Sequence, residues 1–281
     1  MNYREIINTG TLLLKDYCIP TPEIDAEILL TICLNKSREQ ILLNSEQDLN
    51  QYQINNYYEL ISRRKKRQPI SFITGKKFFW KYEFNVGKSV LTPRFETELL
   101  VEKILKRFKF EKKLNVLDIG LGSGCILISL LKERKLWMGT GVDISSLAIK
   151  KAKINAKIQQ VDNRIRFIKS DIDKFSNGKY DLIVSNPPYI NNIEYNNLDI
   201  GVKKYEPREA LYGGLDGLKV IEKVLIKSNK ILKNNGLLGM EIGFGQFYKV
   251  SELFKKNGFF ICGIIKDYQR IKRCVFAKKI K

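Results

Sequence analysis

The sequence predicts an α/β fold: an open, largely parallel sheet preceded by a small all-helical domain. Three observations carry that reading. Residues 114–131 run as an apolar strand, a glycine-rich turn and an apolar helix. The next apolar run, 139–142, ends in the acid Asp143. A further run, 181–184, reaches Ser185 and is then broken by Asn186-Pro187-Pro188-Tyr189. In sheets of this kind ligands bind at the C-terminal edge of the strands, and that is where all three segments put their distinctive residues.

The helical domain is expected over residues 1–75. Ile6, Ile7, Leu12, Leu13 and Leu14 fit a first helix loosely. Thr21 is placed to N-cap a second, with Pro22 at its first position, Glu23 in its first turn and Ile24, Ile28, Leu29 and Ile32 as its apolar face. Ser37-Arg38-Glu39-Gln40 reads as a capping box for a third. Residues 50–67 form a fourth, with Ile54, Tyr57, Tyr58 and Ile61 on one face. It ends in Arg63-Arg64-Lys65-Lys66-Arg67, which reads either as a set of phosphate contacts or as a solvated C-terminus complementing the helix dipole. Residues 76–92 suggest a β-hairpin linker with Gly87 near a turn. The larger domain, 93–281, opens with Thr92-Pro93-Arg94-Phe95-Glu96-Thr97-Glu98 before a helix at 98–108. Those charges either match the helix N-terminus or wall an active site.

In Gly120-Leu121-Gly122-Ser123-Gly124, glycines at alternate positions let a ligand approach the backbone where a helix N-terminus offers free N–H groups. The pattern is G-x-G-x-G, not the G-x-G-x-x-G of dinucleotide binders, and it points to S-adenosylmethionine. Asp143 is placed to accept both ribose hydroxyls, its other reading being a cap for the helix near Ser145. A third strand at 164–168 leads to Asp171 and Ile172, which could bracket the adenine.

Two consecutive prolines cannot donate to a sheet ladder and they fix φ, so the chain leaves the sheet at 186–189 in a rigid extended turn. This suits methylation of a planar, non-basic NH₂ group. Such a nitrogen is a poor nucleophile until its N–H bonds are drawn into acceptors, here Asn186 Oδ1 and the Pro187 carbonyl, with Asn186 also bordering the cofactor. Pro188 and Tyr189 complete the substrate site, the tyrosine ring packing on the flat substrate. A proline-stiffened loop whose Asn caps a turn is the alternative. Residues 191–197 are polar and expected to be mobile, and 205–217 form a long loop suited to shaping a substrate mouth. Helices at 218–232 and 246–256, the second closed by Gly258, alternate with strands at 237–242 and 259–265. A last, antiparallel strand follows at 273–279.

Composition narrows the chemistry. The 281 residues contain no histidine, so histidine-based catalysis is excluded. Cys18, Cys33, Cys125, Cys262 and Cys274 are scattered without a C-x-x-C pair, so neither structural zinc nor a disulfide framework is indicated, and no metal is expected. The net charge of +20 favours an acidic partner such as nucleic acid, or reflects lysines spread by biased composition. No apolar run approaches the roughly 20 residues that span a bilayer, and the first residues lack a signal peptide's apolar segment. A cytoplasmic protein without a membrane partner is expected.

The residues now in hand resemble the PrmC/HemK family, the glutamine N5-methyltransferases of class-1 peptide chain release factors. The markers are Gln68-Pro69 with Ile73-Thr74-Gly75, the 92–98 segment, 118–125, Asp143, the 186–189 tetrad, Glu206-Pro207-Arg208-Glu209-Ala210-Leu211, Gly214-Leu215-Asp216-Gly217 and 267–273. Phe95 stands where that family usually has Pro, Ile172 where an aromatic is common and Arg270 where Gly is usual. The resemblance implies a Rossmann-like seven-stranded S-adenosylmethionine-dependent domain, acting as a monomer on the glutamine of a release factor's Gly-Gly-Gln loop. That side chain would be inserted between Asn186 and Tyr189, with Gly120 to Gly124, Asp143, Asp171 and Ile172 on the cofactor. A nucleobase amino methyltransferase, at adenine N6 or guanine N2, is the main alternative, because a flipped base presents the same planar NH₂. A cofactor-dependent binding module of the translation machinery is the other.

Overall fold

Side-chain caps decide where the first helices begin. Asn2 accepts from the Glu5 N–H while the Glu5 carboxylate accepts from the Asn2 N–H, starting the helix Tyr3–Asp16. Ser37 and Gln40 form the expected box for Arg38–Leu43, and Asn50 and Gln53 form another for Gln51–Lys65. Each box satisfies two backbone donors that a helix start leaves unpaired. The helix Pro22–Leu34 differs from expectation, because the Thr21 hydroxyl donates to Asp25 Oδ1 at 3.1 Å and caps nothing. Ile24 and Ile32 are exposed, and the buried stripe is Pro22, Asp25, Ala26, Leu29 and Leu30. That stripe keeps i, i+3, i+4 spacing, but it is turned to bury Asp25.

The partner of Asp25 is in the basic run. Arg64 Nε meets Asp25 Oδ2 at 2.6 Å, with both side chains largely buried, and Arg64 Nη1 donates to the Gln68 carbonyl at 3.1 Å. Arg63 donates to Gln68 Oε1, Lys65 sits 4.3 Å from the centre of the Tyr17 ring, and Arg67 donates to the Tyr17 carbonyl. Four of the five cations are thus used inside the helical unit. The computed structural model describes residues 1–108 and 112–280, and this unit comprises Met1–Gly75 with Asp199–Tyr205.

The second unit, Lys76–Leu198 with the chain from Glu206 onward, opens with the antiparallel hairpin β1 (Lys76–Phe79) and β2 (Tyr82–Asn85). Its turn is Trp80-Lys81, with Trp80 at φ 60, and Gly87 lies beyond it. The main sheet comprises β3 (Asn115–Ile119), β4 (Met138–Asp143), β5 (Ile165–Lys169), β6 (Tyr180–Ser185), β7 (Leu232–Glu241), β8 (Phe259–Lys266) and β9 (Lys272–Lys279). Its order is β5-β4-β3-β6-β7-β9-β8, a seven-stranded Rossmann-like sheet in which β9 runs antiparallel to both neighbours. Val116, Leu182 and Leu237 enter the core on one face, and Leu117, Ile183 and Leu238 enter it on the other, so the central strands are buried on both sides. Because β3 lies between β4 and β6, the strand order reverses there and leaves a crevice at the C-terminal edge.

The helix Asn192–Asn196, boxed by Asn191 and Glu194, occupies the polar run where a mobile segment was expected. The sequence period was too short to show it. At the β8–β9 turn Asp267 accepts from the N–H groups of Gln269 and Ile271 and from Arg273 Nε, and Arg270 is held at φ 63. That backbone region favours glycine. Among the described residues no helix is long and apolar enough to cross a membrane.

Two stability measurements check these packing arguments. Arg64→Ala should cost about 3 kcal/mol, because Asp25 is left charged and buried. Lys66→Ala at the exposed position should stay within about 0.5 kcal/mol. Equal effects in a denaturant titration would show that the run is not an internal staple. Arg270→Gly should raise stability by about 0.5–1 kcal/mol by releasing left-handed strain, and a fall in midpoint would refute the strain.

Candidate active site

Strand register fixes what meets at the crevice. Ile119 lies opposite Val142 on one side and Ser185 on the other, and the Ser185 hydroxyl donates to the Ile119 carbonyl at 2.7 Å. Ser185 also pairs with Met240 of the parallel neighbour β7. Asn186, where the chain leaves the sheet, and Glu241, the last residue of β7, therefore stand side by side.

The glycine turn after β3 holds Gly120, Gly122 and Gly124 at φ 79, 56 and 80, where any Cβ would be strained. The N–H groups of Gly120 and Leu121 both donate to the Val142 carbonyl, at 2.9 and 3.0 Å. Asp143 Oδ2 accepts from the Gly122 N–H and its Oδ1 from the Ser145 N–H, both at 2.8 Å. Ser145 itself caps the helix Ser146–Ile158. Burial raises the Asp143 carboxyl above its ordinary value, and those two N–H groups oppose the rise. Buried Asn155 clamps the turn from behind, its Nδ2 donating to the carbonyls of Ser123 and Asn85 at 2.9 and 3.0 Å.

Asp118 lies in β3 just before the turn. It is 1 % exposed, and neither carboxylate oxygen has a hydrogen-bond partner. Burial drives its carboxyl well above the usual range; the Leu127 N–H opposes this without reaching bonding geometry, and Asp143 adds repulsion. A cationic ligand group beside the turn would relieve that carboxylate.

A cavity of about 1070 Å³ spans the crevice. Gly120, Leu121, Gly122, Ser123, Asp143, Asp171, Ile172, Asn186, Pro187 and Pro188 line it, together with Arg94 and Thr97. Gly124 and Tyr189 are not in its lining. A Cβ on Gly124 would lie 2.7 Å from the Ile128 side chain, so that glycine serves packing. The Tyr189 ring packs on the core, its hydroxyl donating to Glu241 Oε1 at 3.0 Å and its carbonyl accepting from Gln246 Nε2 at 2.8 Å.

Asn186 Nδ2 donates to Thr97 Oγ1 at 3.1 Å, and Thr97 Oγ1 donates to Glu241 Oε2 at 2.6 Å. Asn186 Oδ1 and the Pro187 carbonyl receive no hydrogen bond from the described residues. The loop 207–217 lies backbone to backbone on the tetrad, with Gly213 N–H donating to the Ile190 carbonyl at 2.9 Å. A Cβ on Gly217 would fall 2.2 Å from the Tyr189 carbonyl. Arg94 Nη2 contacts both carboxylate oxygens of buried Glu206, at 2.8 and 2.7 Å, joining the 92–98 segment to the 206–211 segment. Phe95 is exposed and stacks on Tyr268 with ring centres 5.8 Å apart.

Sequence reasoning missed Glu241, Asn155 and Gln246, and it gave Thr97 no role within the 92–98 segment. The signal for Glu241 was an acid inside the apolar run 237–242. For Asn155 it was an amide among the buried alanines Ala148, Ala152 and Ala156.

The arrangement can hold an elongated ligand with a cationic end and hydroxyls, and it presents two free acceptors to a second molecule. Residues 5–75 match the family model of the PrmC N-terminal domain, and residues 94–201 match that of the methyltransferase small domain. The chain is 37% identical over 267 residues to the release factor glutamine methyltransferase of Caulobacter vibrioides, covering 95% of this chain and 92% of that one. It is 37% identical over 280 residues to the protein of the same name from Fusobacterium nucleatum, covering 98% and 78%. In fold it is similar to the ribosomal protein L11 methylase of Lactobacillus delbrueckii, with a TM-score of 0.51 at 20% identity over 67% of this chain and 81% of that one. At that level the likeness concerns the sheet architecture alone. With relatives of this identity matched over 92% and 78% of their own length, the chain belongs to the release factor glutamine methyltransferase family.

Proposed function

We propose that the protein methylates the side-chain amide nitrogen (N5) of the glutamine in the Gly-Gly-Gln motif of class-1 peptide chain release factors, with S-adenosylmethionine as donor. One observation carries the reading beyond the family: two adjacent acceptors, Asn186 Oδ1 and the Pro187 carbonyl, border the cavity with no protein donor. Neighbouring carbonyls, those of Ile119, Tyr189 and Ile190, do have protein donors. Acceptors left open on a cavity wall are available to the donors of a molecule that enters it.

The donor set fits the cofactor part by part. The N–H groups at the start of the helix Cys125–Glu133 would hold the carboxylate of an amino-acid end, and Asp118, buried behind the cavity lining, would attract its ammonium group without touching it. The Asp143 oxygens, each with a lone pair to spare, would take ribose hydroxyls. Asp171 would meet the edge of the adenine, and Ile172 would offer an apolar face without stacking. When bound, the cofactor supplies a methyl group on a positively charged sulfur, so the work left to the protein is mostly orientation.

Asn186 Oδ1 and the Pro187 carbonyl would each accept one N–H of the substrate amide. They would localise the nitrogen lone pair toward the donor and stabilise the positive charge that grows on nitrogen. Neither needs to remove a proton first: the substrate nitrogen takes the methyl from the sulfonium as a neutral thioether is released, and the methylated nitrogen then loses one proton to water, which is consistent with a chain without histidine. Pro188 keeps its place in the wall. Tyr189 would act as an anchor through Glu241, its ring lying outside the cavity lining.

Labelled cofactor incubated with a release factor, with its Gln-to-Ala variant and with nucleic acid in parallel decides the substrate. Label is expected only in the first; label in nucleic acid would replace this reading. Asn186→Ala should reduce kcat by about 10²- to 10³-fold with calorimetric cofactor affinity retained, and near wild-type turnover would refute the acceptor role. Asp143→Ala should weaken cofactor binding by about tenfold or more, and an unchanged Kd would refute the ribose assignment.

A further inference from the structure

We infer that Glu241 is a positioning residue for this reaction: through the Thr97 hydroxyl, its carboxylate fixes the Asn186 amide with Oδ1 toward the cavity. The inference rests on the proposed reaction at Asn186 and identifies what sets the orientation of that side chain.

An asparagine amide presents nearly the same shape either way round, yet one end accepts and the other donates. The reaction needs the accepting end in the cavity. Thr97 Oγ1 stands 3.1 Å from Asn186 Nδ2 and 2.6 Å from Glu241 Oε2. A hydroxyl has one hydrogen, and an ionised carboxylate can only accept. The Thr97 hydrogen therefore goes to Glu241, and its oxygen offers Asn186 a lone pair. Only the NH₂ end can answer, which turns Oδ1 the other way. Reversing the amide would take the hydroxyl hydrogen from Glu241 and leave Oε2 unpaired in the interior, an unfavourable exchange.

Oε1 of the same carboxylate accepts from Tyr189 at 3.0 Å. One buried acid, 1 % exposed, thus holds both ends of the tetrad, Tyr189 directly and Asn186 through Thr97. The other charged and titratable groups facing it are Glu96 from the helix Phe95–Arg107, Arg273 and Cys274 from β9, and Cys125 beyond the glycine turn. Arg273 favours the ionised form while itself bonded to Asp267. Burial and Glu96 oppose it, and on balance the carboxyl titrates above the ordinary glutamate range. As pH falls through that raised value Glu241 gains a proton and becomes a donor. Thr97 is then free to turn its hydrogen to Asn186, and the amide loses its bias.

The test uses the full chain, a release factor as substrate, and the variants Thr97→Val, Thr97→Ser and Glu241→Gln. Thr97→Val, which keeps the shape and removes the hydroxyl, should lower kcat about 10- to 100-fold, with KM and cofactor Kd shifted by no more than about threefold. Thr97→Ser should recover at least about a third of the wild-type kcat. The wild-type kcat should decline on the acid side through a group above the usual glutamate value, and Glu241→Gln should lack that decline. Thr97→Val within about twofold of wild type, or Thr97→Ser falling as far, overturns the inference, as does an acid decline unchanged in Glu241→Gln. Solvent exchange of the Asn186 Nδ2 protons by NMR reads the relay without any substrate. It should be slow in wild type and Thr97→Ser and faster in Thr97→Val; equal exchange in wild type and Thr97→Val overturns the relay. Methylation of nucleic acid in place of the release factor would overturn the substrate reading alone.

Discussion

The site depends on a level register across three parallel strands. Ile119, Ser185 and Met240 pair in one row, pinned by the Ser185 hydroxyl on the Ile119 carbonyl. A slip of one residue between β6 and β7 would turn every side chain of the moving strand to the opposite face. It would send Glu241 away from Asn186 and bury the wrong half of the apolar alternation. The hydrophobic effect that sets the sheet register therefore also brings Glu241 beside Asn186, where the Thr97 relay can act.

Two buried acids flank that row, in opposite circumstances. Glu241 receives two hydroxyl hydrogens and faces Arg273, so most of its desolvation is offset within the protein. Asp118, two strands away on β3, has no such donors, and burial drives its carboxyl well above its ordinary range. A carboxylate left in that condition is costly unless a bound molecule completes it. One acid thus has its hydrogen bonds within the protein, and the other has none from the described residues.

What could be read from the chain beforehand divides along the same physical line. The glycine turn and the proline pair were legible because their constraint is local: positive φ at Gly120, Gly122 and Gly124 and fixed φ at Pro187 and Pro188 limit the backbone whatever surrounds it. Asp143 was legible from its place at a strand end. Thr97 and Glu241 were not, because their bond joins residues 144 apart in sequence, and nothing in either neighbourhood names the other. The helix Pro22–Leu34 shows the converse error. Counting its isoleucines gave a plausible face, but a buried Asp25–Arg64 pair rotated the true one, and polar residues do not register in hydrophobic periodicity. The basic run 63–67 was open to two readings, phosphate contacts or a solvated C-terminus, and neither anticipated that four of its cations pair within the helical unit.

The short segment Asp199–Tyr205 belongs to the helical unit although the chain on either side of it builds the sheet unit. Gly201 approaches the Arg67 carbonyl so closely that a Cβ would lie 2.6 Å from it, and the Tyr205 hydroxyl donates to the Lys66 carbonyl. During synthesis on the ribosome the first 75 residues emerge long before this piece does. β3 to β6 and the tetrad must all leave the exit tunnel before the N-terminal unit can close its last contacts, so its final folding step is post-dated until nearly three-quarters of the chain or more has been made.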